Sequence, residues 1–158
     1  YDEAKGRAVR HDDNGYRLGT EFESGGAGLY STVDDYARFL NALTNRGLGQ
    51  NGARILSPAA VELMRADHLT AEQPRKDYSM WPHLAGYSYG LGVRTHVSPA
   101  ASGSLSSIGE FGWSGAAGSF AVIDPDAEVT VMYAQHLLVS QDAYVHPRLR
   151  NVVYSCLR

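Results

Sequence analysis

Cysteine and lysine are the scarcest chemistry in this sequence. Cys156 stands alone among 158 residues, which excludes an internal disulfide and a cysteine-built metal site. Only two lysines occur, Lys5 and Lys76, and no block of basic residues forms anywhere. With a formal net charge of −3 and both signs well mixed, neither nucleic acid nor an acidic membrane surface is expected as a partner. No apolar run approaches the roughly 20 residues of a membrane-spanning helix. The six histidines (His11, His68, His83, His96, His136, His146) are scattered, with no His-Glu-x-x-His or His/Cys cluster. No metal site and no cofactor is therefore expected. The glycine run Gly25-Gly26-Ala27-Gly28 has no Gly-Lys-Ser/Thr after it and no strand before it, so it is not a phosphate cradle.

What is present describes one globular domain: 44% hydrophobic and 20% charged residues over an ordinary domain length. The chain opens at Tyr1 in a charged stretch, not at Met, and reads as a piece of a longer protein. Asn14-Gly15, between Arg7–His11 and Tyr16–Thr20, predicts a small surface hairpin. Ser31-Thr32-Val33-Asp34-Asp35 predicts a capped helix start, Ser31 pairing with Asp34 or Thr32 with Asp35. Val33, Tyr36, Ala37, Leu40 and Leu43 then recur at helical spacing as one buried stripe. Ser57 with Pro58 opens a second helix whose Ala60, Val61 and Met64 face inward. Thr70 to Leu84 is polar and irregular, a loop or a lid near a pocket. Period-two alternation from Tyr87 to Val97 predicts one strand, and Pro99 to Ser107 a small-residue loop. Val145, Leu149, Val152, Val153 and Cys156 predict an amphipathic C-terminal helix. Helices grouped before and after sequential strands indicate an α+β fold, an antiparallel sheet flanked by helices.

The stretch on which function turns is Gly109 to Phe120, where Phe111, Trp113 and Phe120 stand in a row of Gly, Ala and Ser. Glycines weaken a strand, so such a row needs either a close backbone approach, as by a substrate along a sheet edge, or tight packing under a helix. It leads through Ala121-Val122-Ile123 and the turn Asp124-Pro125-Asp126-Ala127 into a second strand, Glu128 to Gln135. Gly112-Trp113-Ser114-Gly115-Ala116 comes close to the nucleophile elbow Gly-x-Ser-x-Gly, and Asp142 and His146 follow in triad order. The fifth position is Ala116, however, and the continuation is strand-like where an elbow needs a helix, which argues against that reading.

Taken together, Ser24–Leu40, Ile55-Leu56-Ser57-Pro58 with Val61–Met64, Tyr89-Gly90-Leu91-Gly92, Gly112–Gly118 and Asp124-Pro125 resemble the C-terminal half of the serine β-lactamase-like family. That family includes class C β-lactamases, D-Ala-D-Ala carboxypeptidases and related esterases. The resemblance implies a fragment of the β-lactamase/transpeptidase-like fold, with residues 1–158 as its C-terminal portion. It also implies that Trp113-Ser114-Gly115 takes the place of the family's Lys-Thr-Gly, His-x-Gly or Trp-x-Gly motif. By carry-over, Ser114 would bind a substrate carboxylate or carbonyl, Trp113 would wall the pocket, and the Ala116 backbone N–H would be one of two oxyanion-hole donors. Such a donor is worth roughly 3 kcal/mol, because it meets charge that develops only in the transition state. Trp113 in place of lysine removes a cation that would favour an anionic β-lactam and tilts the substrate toward a neutral ester, amide or peptide. The family's Ser-x-x-Lys and Tyr-x-Asn motifs are not in this sequence, so the partner implied is the preceding portion of the same protein. The alternatives are a non-catalytic homologue that binds peptide or cell-wall fragments, and an inactive piece whose exposed sheet edges favour a dimer or swapped assembly.

Overall fold

The computed structural model describes residues 1–158 apart from 11–20, 22–23, 27, 70–80, 139 and 158. The Asn14-Gly15 hairpin and residues 70–80 of the long polar loop lie outside the described residues. The elements run α1 (Val33–Thr44), α2 (Pro58–Arg65), a 3₁₀ turn (Pro82–Leu84), β1 (Tyr87–Tyr89), β2 (Arg94–His96), α3 (Pro99–Ser102), β3 (Phe111–Gly112), β4 (Phe120–Asp124), β5 (Val129–Tyr133) and α4 (Asp142–Ser155). The strands form an antiparallel meander in the order β1-β2-β3-β4-β5, the α+β arrangement expected.

The starts of α1 and α2 follow from local chemistry. Thr32 Oγ1 accepts the Asp35 N–H at 3.1 Å, and Ser57 Oγ accepts the Ala60 N–H at 3.1 Å with Pro58 in the first helical position. Caps of this kind contribute about 1 kcal/mol each. Three segments depart from the sequence reading. Tyr87 to Val97 is two strands: Gly90 N–H donates to the Val93 carbonyl at 2.8 Å, Gly92 takes a positive φ of 77°, and Tyr89 pairs with Arg94. The alternation of large and small residues runs unbroken through that turn, so periodicity does not locate it. Phe111 to Ile123 likewise folds back on itself, with Phe111 opposite Ile123. The loop after Pro99 opens with a single helical turn, α3.

β4 is the centre of the molecule, buried along all five residues. Ala121 and Ile123 face Leu40 and Leu43 of α1, Val61 of α2 and Phe111. Phe120 and Val122 face the other way, onto Val131 and Tyr154 of α4. The result is three layers, with α1 and α2 on one face of the sheet and α4 on the other. The α1 stripe is partly covered: Leu40 and Leu43 are buried and Ala37 is half-buried, while Val33 and Tyr36 remain exposed. On α4 the expected apolar stripe is not the buried face. His146, Arg150 and Tyr154 are buried, Leu149 and Val153 pack beside them, and Val152 and Cys156 are exposed.

The reason is a buried ionic cluster between α4 and the sheet. Glu110 is fully buried; its carboxylate meets Arg94 Nη2 at 2.8 Å and Arg150 Nη1 at 3.6 Å. Tyr87 and Ser106 donate their hydroxyls to the same carboxylate at 3.0 and 3.2 Å. The two guanidinium groups lie over the rings of Tyr87 and Phe120. Burial, and then the Glu110 charge, pushes the Tyr87 phenol up to about 12, so it stays a donor. Nearby, Tyr154 donates its hydroxyl to Asp124 at 2.7 Å.

Two predictions follow from this packing. Glu110→Ala leaves two buried guanidinium groups without their carboxylate and is expected to destabilise the protein by about 3–5 kcal/mol, read by urea unfolding. Burial also lowers the proton affinity of His146 and His83 below the ordinary 6.5. Both groups are neutral in folded and unfolded chains above that value. Below pH about 6.5 the unfolded chain gains protons first, so stability is lost as pH falls from there toward the lower folded values. A melting temperature that stays flat between pH 7 and 5 would contradict this.

Candidate active site

The glycine-rich ribbon is a hairpin tip at the end of β3 and β4. Ala121 N–H donates to the Trp113 carbonyl at 2.9 Å, Gly115 N–H to Ser119 at 2.8 Å, and Gly118 N–H to Gly115 at 2.9 Å. Gly115–Gly118 is thus a hydrogen-bonded four-residue turn. Neither Ala116 nor Ala117 has a positive φ, whereas Gly118 has one of 88°, which makes a type I turn closed by a left-handed glycine. A Cβ on Gly118 would sit 2.8 Å from Gln135 Oε1 and 2.9 Å from Ser140 Cβ. At Gly112 a Cβ would lie 2.1 Å from the Ala121 carbonyl oxygen. The close backbone approach that the glycines imply is therefore made at Gly112 by the protein's own strand β4.

The tip is also tied from outside. Leu137 N–H donates to the Ala117 carbonyl at 2.9 Å, and His146 Nε2 to the Gly118 carbonyl at 3.0 Å. The carbonyls of residues 115, 117 and 118 are all engaged. In a trans peptide the N–H points opposite the C=O, and no peptide bond here is cis. Because the Gly115 carbonyl points into the turn, the Ala116 N–H points out of it. That N–H has no protein acceptor among the described residues, and Ala116 is exposed. An outward N–H on a turn held this firmly can donate to an oxygen of a bound molecule without reorganising.

Three of the residues singled out from the sequence, Trp113, Ser114 and Gly115, line one cleft of about 490 Å³. Its other walls come from Tyr36, Phe39, Leu40 and Leu43 of α1, Met64 of α2, and Leu91 and Val93 of the β1–β2 turn. Among the described residues, none that lines it carries a charge. Trp113 is half-exposed and meets Tyr89 edge-on at 5.6 Å. Ser114 also borders a second cavity of about 10 Å³, enough for one water, shared with Arg94, Phe120, His146 and Arg150. The nucleophile-elbow geometry is not formed: Ser114 is bridged to Phe120 within the hairpin, and no helix follows it. His146 Nε2 is engaged by Gly118, and Asp142 Oδ1 lies 3.4 Å from that same nitrogen, so the imidazole is not arranged as a base for Ser114. Among the described residues no three His, Cys, Asp or Glu side chains come together as a metal site. Arg94, Glu110, Arg150 and the Gly118 contact of His146 gave no signal in the sequence, because each partner lies far away along the chain.

Comparison with known proteins identifies the family and the fold. A family model described as Beta-lactamase matches residues 1–154. Protein Rv1367c and the uncharacterized protein MT1414, from two strains of Mycobacterium tuberculosis, are each 38% identical over 130 residues, covering 79% of this chain and 32% of their own length. The chain thus spans about a third of the curated relatives it matches. Among solved structures, simvastatin synthase LovD of Aspergillus terreus (the LovD6 mutant) superposes with a TM-score of 0.75 at 22% identity, over 92% of this chain and 38% of that one. EstCE1, a hydrolase with promiscuous acyltransferase activity, does so with a TM-score of 0.69 at 24% identity, over 88% and 34%. At these identities the two structures speak for the fold, a serine β-lactamase-like one. On the family match over nearly its whole length, the chain belongs to the beta-lactamase family.

Proposed function

We propose that these residues are the C-terminal part of a serine hydrolase that works through an acyl-enzyme. The family is one of serine hydrolases and acyltransferases. Within it, this part supplies the pocket wall through Trp113, Ser114 and Gly115, and one oxyanion donor through the Ala116 N–H. The nucleophilic serine, its lysine and the tyrosine that moves protons belong to a preceding segment of the same protein. That serine attacks the substrate carbonyl, the carbonyl oxygen becomes an oxyanion, and the Ala116 N–H meets the charge as it develops. The observation that carries the reading is the tip geometry: the carbonyls of residues 115, 117 and 118 are engaged and the Ala116 N–H faces outward, next in the chain to Gly115, which lines a cleft with no charged side chain among the described residues; Ala116 itself is not among the residues that line it. That lining, with Trp113 where the family also uses lysine, favours a neutral ester or amide over an anionic substrate. The runner-up is a non-catalytic homologue that binds peptide or cell-wall fragments through the same cleft.

Two measurements test this. A fluorophosphonate probe is expected to label a serine upstream of Tyr1 in the longer protein and to leave the isolated 158-residue chain unlabelled; no adduct on the longer protein would favour the binding homologue. Ala116→Pro offers a sharper test. Proline suits the second position of a type I turn, and here it deletes an N–H that has no protein acceptor among the described residues. The expected result is a loss of about 10²–10³ in kcat with little change in melting temperature; unchanged turnover would remove Ala116 from the mechanism.

A further inference from the structure

We propose that His146 is a positioning residue for the oxyanion turn, holding the Ala116 N–H in place by gripping the Gly118 carbonyl. The inference rests on the hydrolase reading above. Gly118 O can only accept, so the Nε2 that lies 3.0 Å from it carries the proton. The ring is fixed on both sides, stacked on Phe120 at 4.4 Å and 16° and met edge-on by Tyr133 at 6.3 Å. It is 2% exposed.

Packing alone does not account for a histidine at this place. The charged groups around it are Asp142 and Arg150 on its own helix and Arg94 on β2, with His83 beside it from the 3₁₀ turn. Burial disfavours a charged ring there; the Gly118 carbonyl and Asp142 act the other way, the two guanidinium groups reinforce burial, and the proton affinity is lowered overall. A phenylalanine or leucine would fill the volume without burying a polar ring. What imidazole adds is one N–H, and that N–H goes to the hairpin tip.

The route to Ala116 is short and covalent. Among the described residues, and outside the hairpin's own bonds, two carbonyls of the turn are held, Ala117 by Leu137 N–H and Gly118 by His146, while Ser119 Oγ next to them donates to the Gln135 carbonyl at 3.3 Å. Gly118 is also the donor that closes the turn onto the Gly115 carbonyl, and the direction of that carbonyl sets the direction of the Ala116 N–H. Releasing Gly118 from α4 loosens the plane that aims the donor while leaving the cleft walls in place. Displacement of a donor matters because its value lies in being aimed, before reaction, at where charge will develop.

Three variants in the longer protein separate this from a structural role. His146→Phe keeps the ring stacking and deletes the donor. His146→Asn keeps an amide too short to reach Gly118, and His146→Gln carries its amide to about the position of Nε2. With a neutral nitrophenyl ester, the expected result is a fall in kcat of about tenfold in the Phe and Asn variants, with KM within about twofold, and recovery of most of it in the Gln variant. This is below the 10²–10³ of a deleted donor because the N–H is displaced and not removed. Full kcat in both the Phe and Asn variants overturns the inference and leaves the hydrolase reading standing. Equal losses in all three, each tracking a lowered melting temperature, overturn it as well. Absence of turnover and of fluorophosphonate labelling in the unsubstituted protein overturns the hydrolase reading and this inference with it.

Discussion

A peptide group offers its oxygen and its hydrogen on opposite edges of one plane, and the hairpin tip at residues 115–118 is built on that fact. When the Gly115 carbonyl accepts from Gly118 inside the turn, the adjoining N–H of Ala116 is directed outward. The remaining carbonyls do not have to be satisfied by the turn itself; Leu137 supplies one donor and His146 the other. Glycine at 118 is required by this arrangement twice over, by its φ of 88° and by the side chains of Gln135 and Ser140 that crowd it. A turn with fewer anchors would have the same sequence of dihedrals and a less certain direction for its free amide.

The anchor on the α4 side depends in turn on how α4 is seated. Its inner face is not oily: it carries His146, Arg150 and Tyr154 onto a sheet face that presents Gly118, Glu110 and Asp124 as acceptors. Replacing a buried ion pair by well-packed apolar residues is often neutral or stabilising, whereas removing one partner is costly. The Arg94–Glu110–Arg150 cluster is therefore weak evidence for extra stability and stronger evidence for a fixed seating. A stripe of leucines could slide or rotate by part of a turn at modest cost. An arginine that must meet Glu110 while an imidazole one helical turn earlier meets Gly118 has one position along the helix.

How much of this could be read from the residues depends on how local the cause is. The helix starts at Thr32 and Ser57 were legible, since a hydroxyl and an N–H three residues apart decide them. The α+β order and the strand pairing of Ala121–Ile123 with the segment after Asp124-Pro125 were legible from turn chemistry and branched residues. The hairpin at Gly115–Gly118 was not, because a run of Gly, Ala and Ser suits a tightly packed strand as well as a turn. The break at Gly90–Val93 was hidden for a related reason: Leu91 keeps the alternation going although it is exposed. Spacing alone points to Val152 and Cys156 as the inner face of α4, whereas burial is decided by acceptors far away along the chain, Gly118 for His146 and Glu110 for Arg150. The cleft residues Trp113, Ser114 and Gly115 were reached through family resemblance, and their gathering on one wall is a property of the folded hairpin.

The sheet also sorts charge between its two faces, and this bears on what the cleft can recognise. Arg94 and Arg150 lie on the α4 side and share the single Glu110 carboxylate, so the three groups leave one net positive charge behind the ribbon, held close to that carboxylate. On the α1 side, where the cleft opens, the described lining residues are apolar and aromatic side chains, glycines and two serines, with no ionised group among them. Ser114 and Phe120 border both spaces, so the ribbon is the partition between a charged interior and an uncharged wall. An anionic ligand on the cleft side would give up hydration and meet no formal countercharge from this wall, a cost that its apolar contacts would have to exceed. A neutral carbonyl would lose little on entry, and under the proposed acyl-transfer reading the amide at Ala116 would interact with it more strongly as negative charge grew on its oxygen. On that reading the division of charge across β3 and β4 works in the same direction as the tethered turn, since neither rewards an anion before reaction.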